Sequence, residues 1–421
     1  MSTRSPFVGS RPFDTADEAI FHGRAREAAA LAKLWRDHRV TILHGPAGVG
    51  KTSLLRAGVL PELGAGTDPR VLPIGRLAFL ADFPLAALPD INPFTFALLA
   101  SWYPEDSPTR IAGSSIRGLV RKNAGVDRHG DAVPVLAAID QTDLLFSGTR
   151  DRDDHRRRFA DELVEATAAR HDLHLLIAVR TENLDELQTL LVRSGMPARQ
   201  LTRFPLRAFS LSTARQVVSG PLSDTGHPLA ASAGRLVDEL GAGEAAIDPA
   251  LLQIVCSRLW EELPRESGDD DERLPKAVDR ALRDHCLRSL ATVATAYGEW
   301  PSALTTWFRQ VFGRKPDADG VTEGRRLTRD LPNTVVRALE DVRLLVADRP
   351  AGRRRYRLPQ VRPRPVVRRR GREPAAERGR VARQDPVGPQ AQLGRPRGER
   401  AGAGRGLRPA ERPAERSAGH R

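Results

Sequence analysis

With 421 residues, 40% of them apolar and 28% charged, the chain is long enough for two or three domains with buried cores. No apolar run approaches the roughly 20 residues that span a bilayer, the first residues form no apolar leader, and Cys256 and Cys286 supply neither a metal cluster nor a disulfide framework. The formal charge of +13 is concentrated in residues 361–421, where seventeen arginines and no lysine face six acidic residues, so the first 360 residues are nearly neutral.

That distribution argues against a phosphate-backbone surface on the folded part. A reducing cytoplasm is the expected location, and DNA is a possible but not favoured partner.

In chain order, Ala25 to Trp35 carries apolar residues at helical spacing, and Phe21-His-Gly-Arg24 precedes it. Arg24, just before this helix, is a candidate to lie near a bound ligand; by spacing alone it could equally be a surface charge. Val40 to Leu43 reads as a strand. It leads into Gly45-Pro46-Ala47-Gly48-Val49-Gly50-Lys51-Thr52, the spacing G-x-x-x-x-G-K-[ST], followed by Ser53 and a helix-like run to Ala57. Loop amides in that order wrap a polyphosphate, and the following helix aims its N-terminus at it. Lys51 is expected to reach the β and γ phosphates of ATP, and the Thr52 hydroxyl to ligate Mg²⁺.

Further strands are predicted at Val71-Leu-Pro-Ile, at Val133 to Asp140 and at Leu173 to Val179. Helices are predicted at Phe94 to Trp102, Ser114 to Arg121 and Asp154 to Ala169, with a charged loop at 125–131. The run ending in Asp140 is apolar on both faces, as in a buried parallel strand. Ligands sit at the C-terminal ends of such strands, which gives Asp140 the position to hold Mg²⁺ through water, about ninety residues after the loop. Gln141 or Asp143 is a candidate to orient attacking water, while Arg180 and Asn183, after the next strand, are candidate sensors of the γ-phosphate. A solvated strand end is the plainer reading of that last pair.

The second half reads as helices at 212–218, 230–240, 249–263 and 273–297, with Trp260 and Trp307 expected in cores. Two shorter helices are predicted over 327–345, broken near Pro332, and a β-hairpin from Leu344 to Leu358. Residues 361–421 hold no Ile, Phe, Tyr, Trp or Met, and two Leu among many Gly, Pro, Ala and Arg. Such a tail cannot form a core and is expected to be disordered. It reads as a passive extension, a basic arm, or a GC-rich gene translated out of frame.

Several segments together resemble one family, the bacterial STAND ATPases often fused to WD40 repeats, called novel STAND NTPase 1. Phe7-Val-Gly-Ser-Arg-Pro-Phe13 resembles its opening Y-x-G-L-R-P-F, and Phe21-His-Gly-Arg-Ala-Arg-Glu27 its F-F-G-R-x-x-E. Gly45 to Gly58 is similar to G-P-S-G-x-G-K-S-S-L-x-x-A-G, Asp140 to Phe146 to D-Q-F-E-E-L-F, and Arg180-Thr-Glu-Asn183 to R-x-D-F. Ser219-Gly-Pro-Leu222 resembles a motif that places a proline, here Pro221, near the adenine. Leu251 to Trp260 and Val335 to Val346, with Arg343-Leu-Leu, resemble later helices.

The resemblance implies an α/β P-loop NTPase domain, AAA+-like, with a parallel sheet and flanking helices over residues 1–210. A helical lid (211–265), a winged-helix-like domain (266–357) and the disordered tail (358–421) are expected to follow. It further implies an ATP/ADP-dependent switch in signalling or defence, with self-association. Leu144 replaces the second acidic residue of the family's D-Q-F-E-E motif and Asp143 the first, so slow rather than rapid hydrolysis is expected. No repeat unit of 20–50 residues is visible, and no effector domain is expected before Phe7. Three other readings stay open: a DNA-binding ATP-dependent regulator, an AAA-type motor, which would want a clear second carboxylate after Asp140 and an arginine finger, and a truncated, non-functional remnant.

Overall fold

A computed structural model describes residues 5–64, 69–78, 91–122, 129, 132–146, 153–223, 225, 227–241, 245–263, 273–312, 321–348 and 354–358. The loop predicted at 125–131, His129 apart, and the tail beyond residue 358 lie outside the described residues.

The first two hundred residues build a parallel sheet: β1 (Val40–Gly45), β2 (Arg70–Val71), β3 (Gly75–Arg76), β4 (Val135–Asp140), β5 (Leu173–Arg180) and β6 (Leu201–Pro205). The order is β2-β4-β5-β1-β6, with β3 also on β4, and every pairing is parallel. Alternate side chains of the central strands enter separate cores. Ile42, Ala137, Ile139, Leu175 and Ile177 face the helices Pro93–Trp102, Ile116–Lys122, Asp153–Ala169 and Leu184–Arg193. Leu43, Leu136, Ala138, Leu176 and Ala178 face the helix Ala25–Asp37 and the helix after the phosphate loop. Burial on both faces explains why β4 and β5 are unbroken apolar runs. The strand predicted near Val71 forms as the two short pieces β2 and β3 on either side of Pro73.

The helix Ala25–Asp37 buries Ala28, Leu31, Ala32 and Trp35, the amphipathic stripe its spacing predicts. The helix behind the loop is less regular. Lys51–Ser53 is α-helical, Leu54–Val59 widens into a π turn, and Leu60–Leu63 closes it. Pro61 has no N–H for a bond to Ala57 and would crowd that carbonyl; the wider turn relieves both demands.

After β6 the chain turns to helices at Leu211–Ser219, Pro228–Ala231, Ala233–Gly241, Pro249–Glu262, Arg273–Tyr297 and Pro301–Phe312. Asp248 caps Pro249–Glu262 by accepting from the N–H groups of Ala250 and Leu251. Two hydrophobic clusters follow from these elements. One gathers Phe209, Val218, Leu236, Leu252, Val255 and Leu259, together with Phe7 from the N-terminal segment. The other gathers Leu290, Val293, Phe308, Val336, Leu339 and Tyr356. The long helix Arg273–Tyr297 serves both, with Leu274 to Ala281 in the first and Leu290 to Ala294 in the second. Trp260 is only partly buried, stacked on His227 at 4.4 Å between ring centroids, and Trp307 is likewise half-buried.

Of the two short helices predicted over 327–345, the second alone forms, as Asn333–Asp341. The first is replaced by a tight pair of strands, Leu327–Thr328 and Leu331–Pro332, around left-handed Arg329 and Asp330. Of the predicted hairpin, the described residues show the two strands. Val346–Asp348 pairs antiparallel with Arg355–Arg357, and Val321–Thr322 adds a third strand.

Candidate phosphate-loop site

Gly48 and Gly50 take φ of 77° and 94°, left-handed values that turn the loop between β1 and its helix. A Cβ on Gly50 would meet nothing within 4 Å, so the loop's open side faces space. Lys51 folds across the loop and donates to the carbonyls of Gly45 (2.8 Å) and Pro46 (3.1 Å). Burial pulls its ammonium from the ordinary lysine value down to about 8; Asp143 and Asp140 oppose that pull, and Arg180 adds to it.

Beside Lys51, the Thr52 hydroxyl donates to Oδ2 of Asp140 at 2.7 Å, and the N–H of Gln141 donates to Oδ1 at 2.9 Å. Asp140 is 2% exposed, at the C-terminal end of β4. Gln141 itself is exposed and has φ 58°, unusual for a residue with a Cβ. Loop amides, an ammonium, a hydroxyl and a buried carboxylate form a set of groups that suits a polyphosphate with a hard divalent cation.

Several residues singled out in the sequence are otherwise engaged. The Ser53 hydroxyl accepts from the N–H of Phe13 at 3.2 Å. Arg24 is buried on the ring of Phe209, pairs with Glu27 (2.7 Å), and donates to the carbonyls of Arg207 (2.5 Å) and Val49 (3.4 Å). It thus ties the loop to the segment following β6. Asp143 accepts from the N–H of Arg180 (2.6 Å) and from Asn183 (3.2 Å), which clamps the end of β5 to the turn after β4. Burial raises its carboxyl, against the pull of Lys51 and Arg180.

A cleft of about 1250 Å³ runs from the loop toward the later helices. Ala47 to Ser53, Arg24, Asp140, Gln141, Asp143, Arg180 and Asn183 line it. Pro221 does not line it; it sits in the turn Gly220–Leu222, where Gly220 packs on His22, and His22 is the lining residue. The N-terminal segment closes another side through Val8 and Phe13.

The opposite wall holds residues that local spacing does not single out. Arg180 pairs with Glu340 (3.2 Å) and with Asp341, both from the helix Asn333–Asp341. Arg354 pairs with Glu340 and lies 3.9 Å from both Glu182 and Glu323. Burial works against the Arg180 charge, yet Asp341, Glu340 and Asp143 outweigh it and hold the guanidinium more firmly protonated than usual. Glu340, 2% exposed, loses more to burial than Arg354 and Arg180 return, so its carboxyl is raised. A cation shared among several carboxylates gains from each, whereas each buried carboxylate carries its own desolvation cost.

A parallel α/β sheet with a phosphate loop at the end of β1 and a buried acidic residue at the end of β4 defines a P-loop NTPase. Within that class the chain belongs to the novel STAND NTPase 1 family, whose model matches residues 6–366. Among solved structures it is similar to a Walker-type ATPase of Pyrococcus abyssi, at 14% identity over 83% of this chain and 95% of that one, with a TM-score of 0.45. It is also similar to the ORC2 protein of Aeropyrum pernix in its ADPNP–ADP complexes (15% identity, 80% and 89% coverage, TM-score 0.43). The ORC1 protein of the same organism, in complex with DNA, matches at 13% identity, 83% and 90% coverage and a TM-score of 0.43. Comparison with curated proteins gave no match. Among the described residues no helix is long and apolar enough to cross a membrane.

Proposed function

We propose that this chain is an ATP/ADP-controlled STAND switch, acting in signalling or defence, with slow hydrolysis and nucleotide-governed self-association. In this reading residues 1–210 form the ATPase domain, 211–265 a helical lid and 266–357 a winged-helix-like domain. The antiparallel sheet of Val321–Thr322, Val346–Asp348 and Arg355–Arg357 beside the helix Asn333–Asp341 supports the last assignment.

The loop amides and Lys51 would hold the phosphates. Thr52 and Asp140 would hold Mg²⁺, which when bound neutralises phosphate charge. Slow turnover is supported by the engagement of Asp143 with β5, which leaves Gln141 as the polar side chain directly beside Asp140.

The single observation that carries the switch reading is Arg180. It stands at the end of β5, next to β4, and pairs with Glu340 and Asp341 some 160 residues later. Its guanidinium can serve either a nucleotide phosphate or those carboxylates. A ligand that binds one arrangement better shifts the population toward it.

Calorimetry on the full chain tests this reading. ADP and ATP are expected to bind. Asp140→Ala should weaken Mg²⁺-dependent ATP binding at least tenfold, and Mg²⁺-free ADP binding far less. Folded wild-type protein that binds no adenine nucleotide would sink the reading, and equal losses in both arms would remove the metal role of Asp140.

A further inference from the structure

Arg343 lies just beyond the helix Asn333–Asp341, and its backbone explains its direction. The N–H of Leu344 bonds to the carbonyl of Leu339 (2.9 Å), and the N–H of Arg343 to that of Glu340 (3.0 Å). Those two bonds form a Schellman cap, whose left-handed residue is most often glycine. Here it is an arginine, at φ 68°. A Cβ in that region carries a steric cost, and such strain persists where the surroundings demand it.

The demand points to the phosphate loop. A Cβ built on Gly48 would lie 2.5 Å from Nε of Arg343, 2.6 Å from Cζ and 3.0 Å from Cδ. The Arg343 side chain therefore packs against the loop, filling the space a side chain at Gly48 would take. It lines the same cleft as Lys51, Thr52 and Asp140. Asp248, Glu340, Asp341 and Arg180 are the charged groups around it. Yet no hydrogen bond or ion pair among the described residues engages its guanidinium. Its neighbour Arg180, in the same cleft, is saturated with carboxylates. A planar five-donor cation, partly buried and unpaired at the lip of an anion cradle, matches a phosphate ligand.

We propose that Arg343 is a phosphate-binding residue supplied to the loop by the C-terminal module, recognising the polyphosphate of a bound nucleoside di- or triphosphate on the Gly48 side. The proposal rests on the nucleotide-binding reading of the loop. It deepens that reading by assigning one contact to a segment nearly 300 residues downstream of the loop.

The cap offers an unusual test variant. Arg343→Gly places the preferred residue at the left-handed position, so the protein is expected to melt no lower than the wild type. Calorimetric titrations of the full chain with ADP, inorganic pyrophosphate and adenosine separate the contributions. Arg343→Gly should weaken ADP and pyrophosphate at least tenfold and leave adenosine within twofold. Arg343→Lys should recover part of the loss, because it keeps the charge without the fork. Unchanged ADP affinity in the glycine variant overturns the proposal, as does an equal loss for adenosine and ADP, which would mark a packing role. Failure of the wild type itself to bind ADP refutes the loop reading and the proposal with it, and the wild-type titration distinguishes that case.

Discussion

The phosphate loop and the seam around Glu340 are built in opposite ways. The loop is local: eight consecutive residues, two left-handed glycines and a lysine bonded to carbonyls five and six residues back. The seam is assembled from distant pieces, with Arg180, Glu182, Glu323, Glu340, Asp341 and Arg354 brought together by the packing of separate elements. A local motif preserves its chemistry wherever its strand and helix form. A seam of exchanged charges exists only while both sides stay docked.

The sharpest way to break the local side is Lys51→Ala. Nucleotide affinity should fall more than a hundredfold while circular dichroism and melting temperature stay near those of the wild type. Retained ADP binding would show that the loop does not hold the phosphates.

On the seam, Glu340→Ala should leave Arg354 and Arg180 short of a buried carboxylate, costing about 3 kcal/mol. Chemical denaturation would measure this, and limited proteolysis should show earlier cleavage within 321–358. Nucleotide affinity should change much less than stability; the reverse pattern would mean that Glu340 belongs to the binding site.

The smallest expected effect concerns protons. Lys51 sits near 8 in the folded protein, below its unfolded value, so the folded state binds fewer protons between the two. From this group alone, stability of the nucleotide-free protein should rise as pH climbs from about 8 toward about 10.4. A phosphate beside the ammonium pushes its pKa back up. Binding ADP at pH 8 should therefore take up roughly half a proton, read from calorimetry in buffers of different ionisation enthalpy. Proton release would contradict this sign.

The same contrast explains what could be read from the chain. The strands β1, β4 and β5 and the loop between β1 and its helix were legible because burial on both faces leaves continuous apolar runs and the loop spacing is specific. The strand pair at 327–332 was not, because Pro332 looks like a helix break until left-handed Arg329 and Asp330 are seen to turn the chain. The binding of Asp143 to β5 was hidden for another reason. A carboxylate three residues after a buried strand looks catalytic, and only the neighbouring strand shows that its Oδ1 is engaged. Arg343 was visible as part of a family-like Arg-Leu-Leu, but its approach to Gly48 depends on a helix cap and on tertiary packing that no local pattern encodes.

The N-terminal segment sets a limit on movement. Its Val8 N–H is bonded to Gln253, on the helix Pro249–Glu262, and its Phe13 N–H to Ser53, on the helix behind the loop. Five residue steps join these anchors, and a fully extended chain of that length reaches roughly 17 Å. While both bonds hold, the two helices can part no further than this leash allows, and any wider excursion has to begin with the release of one end.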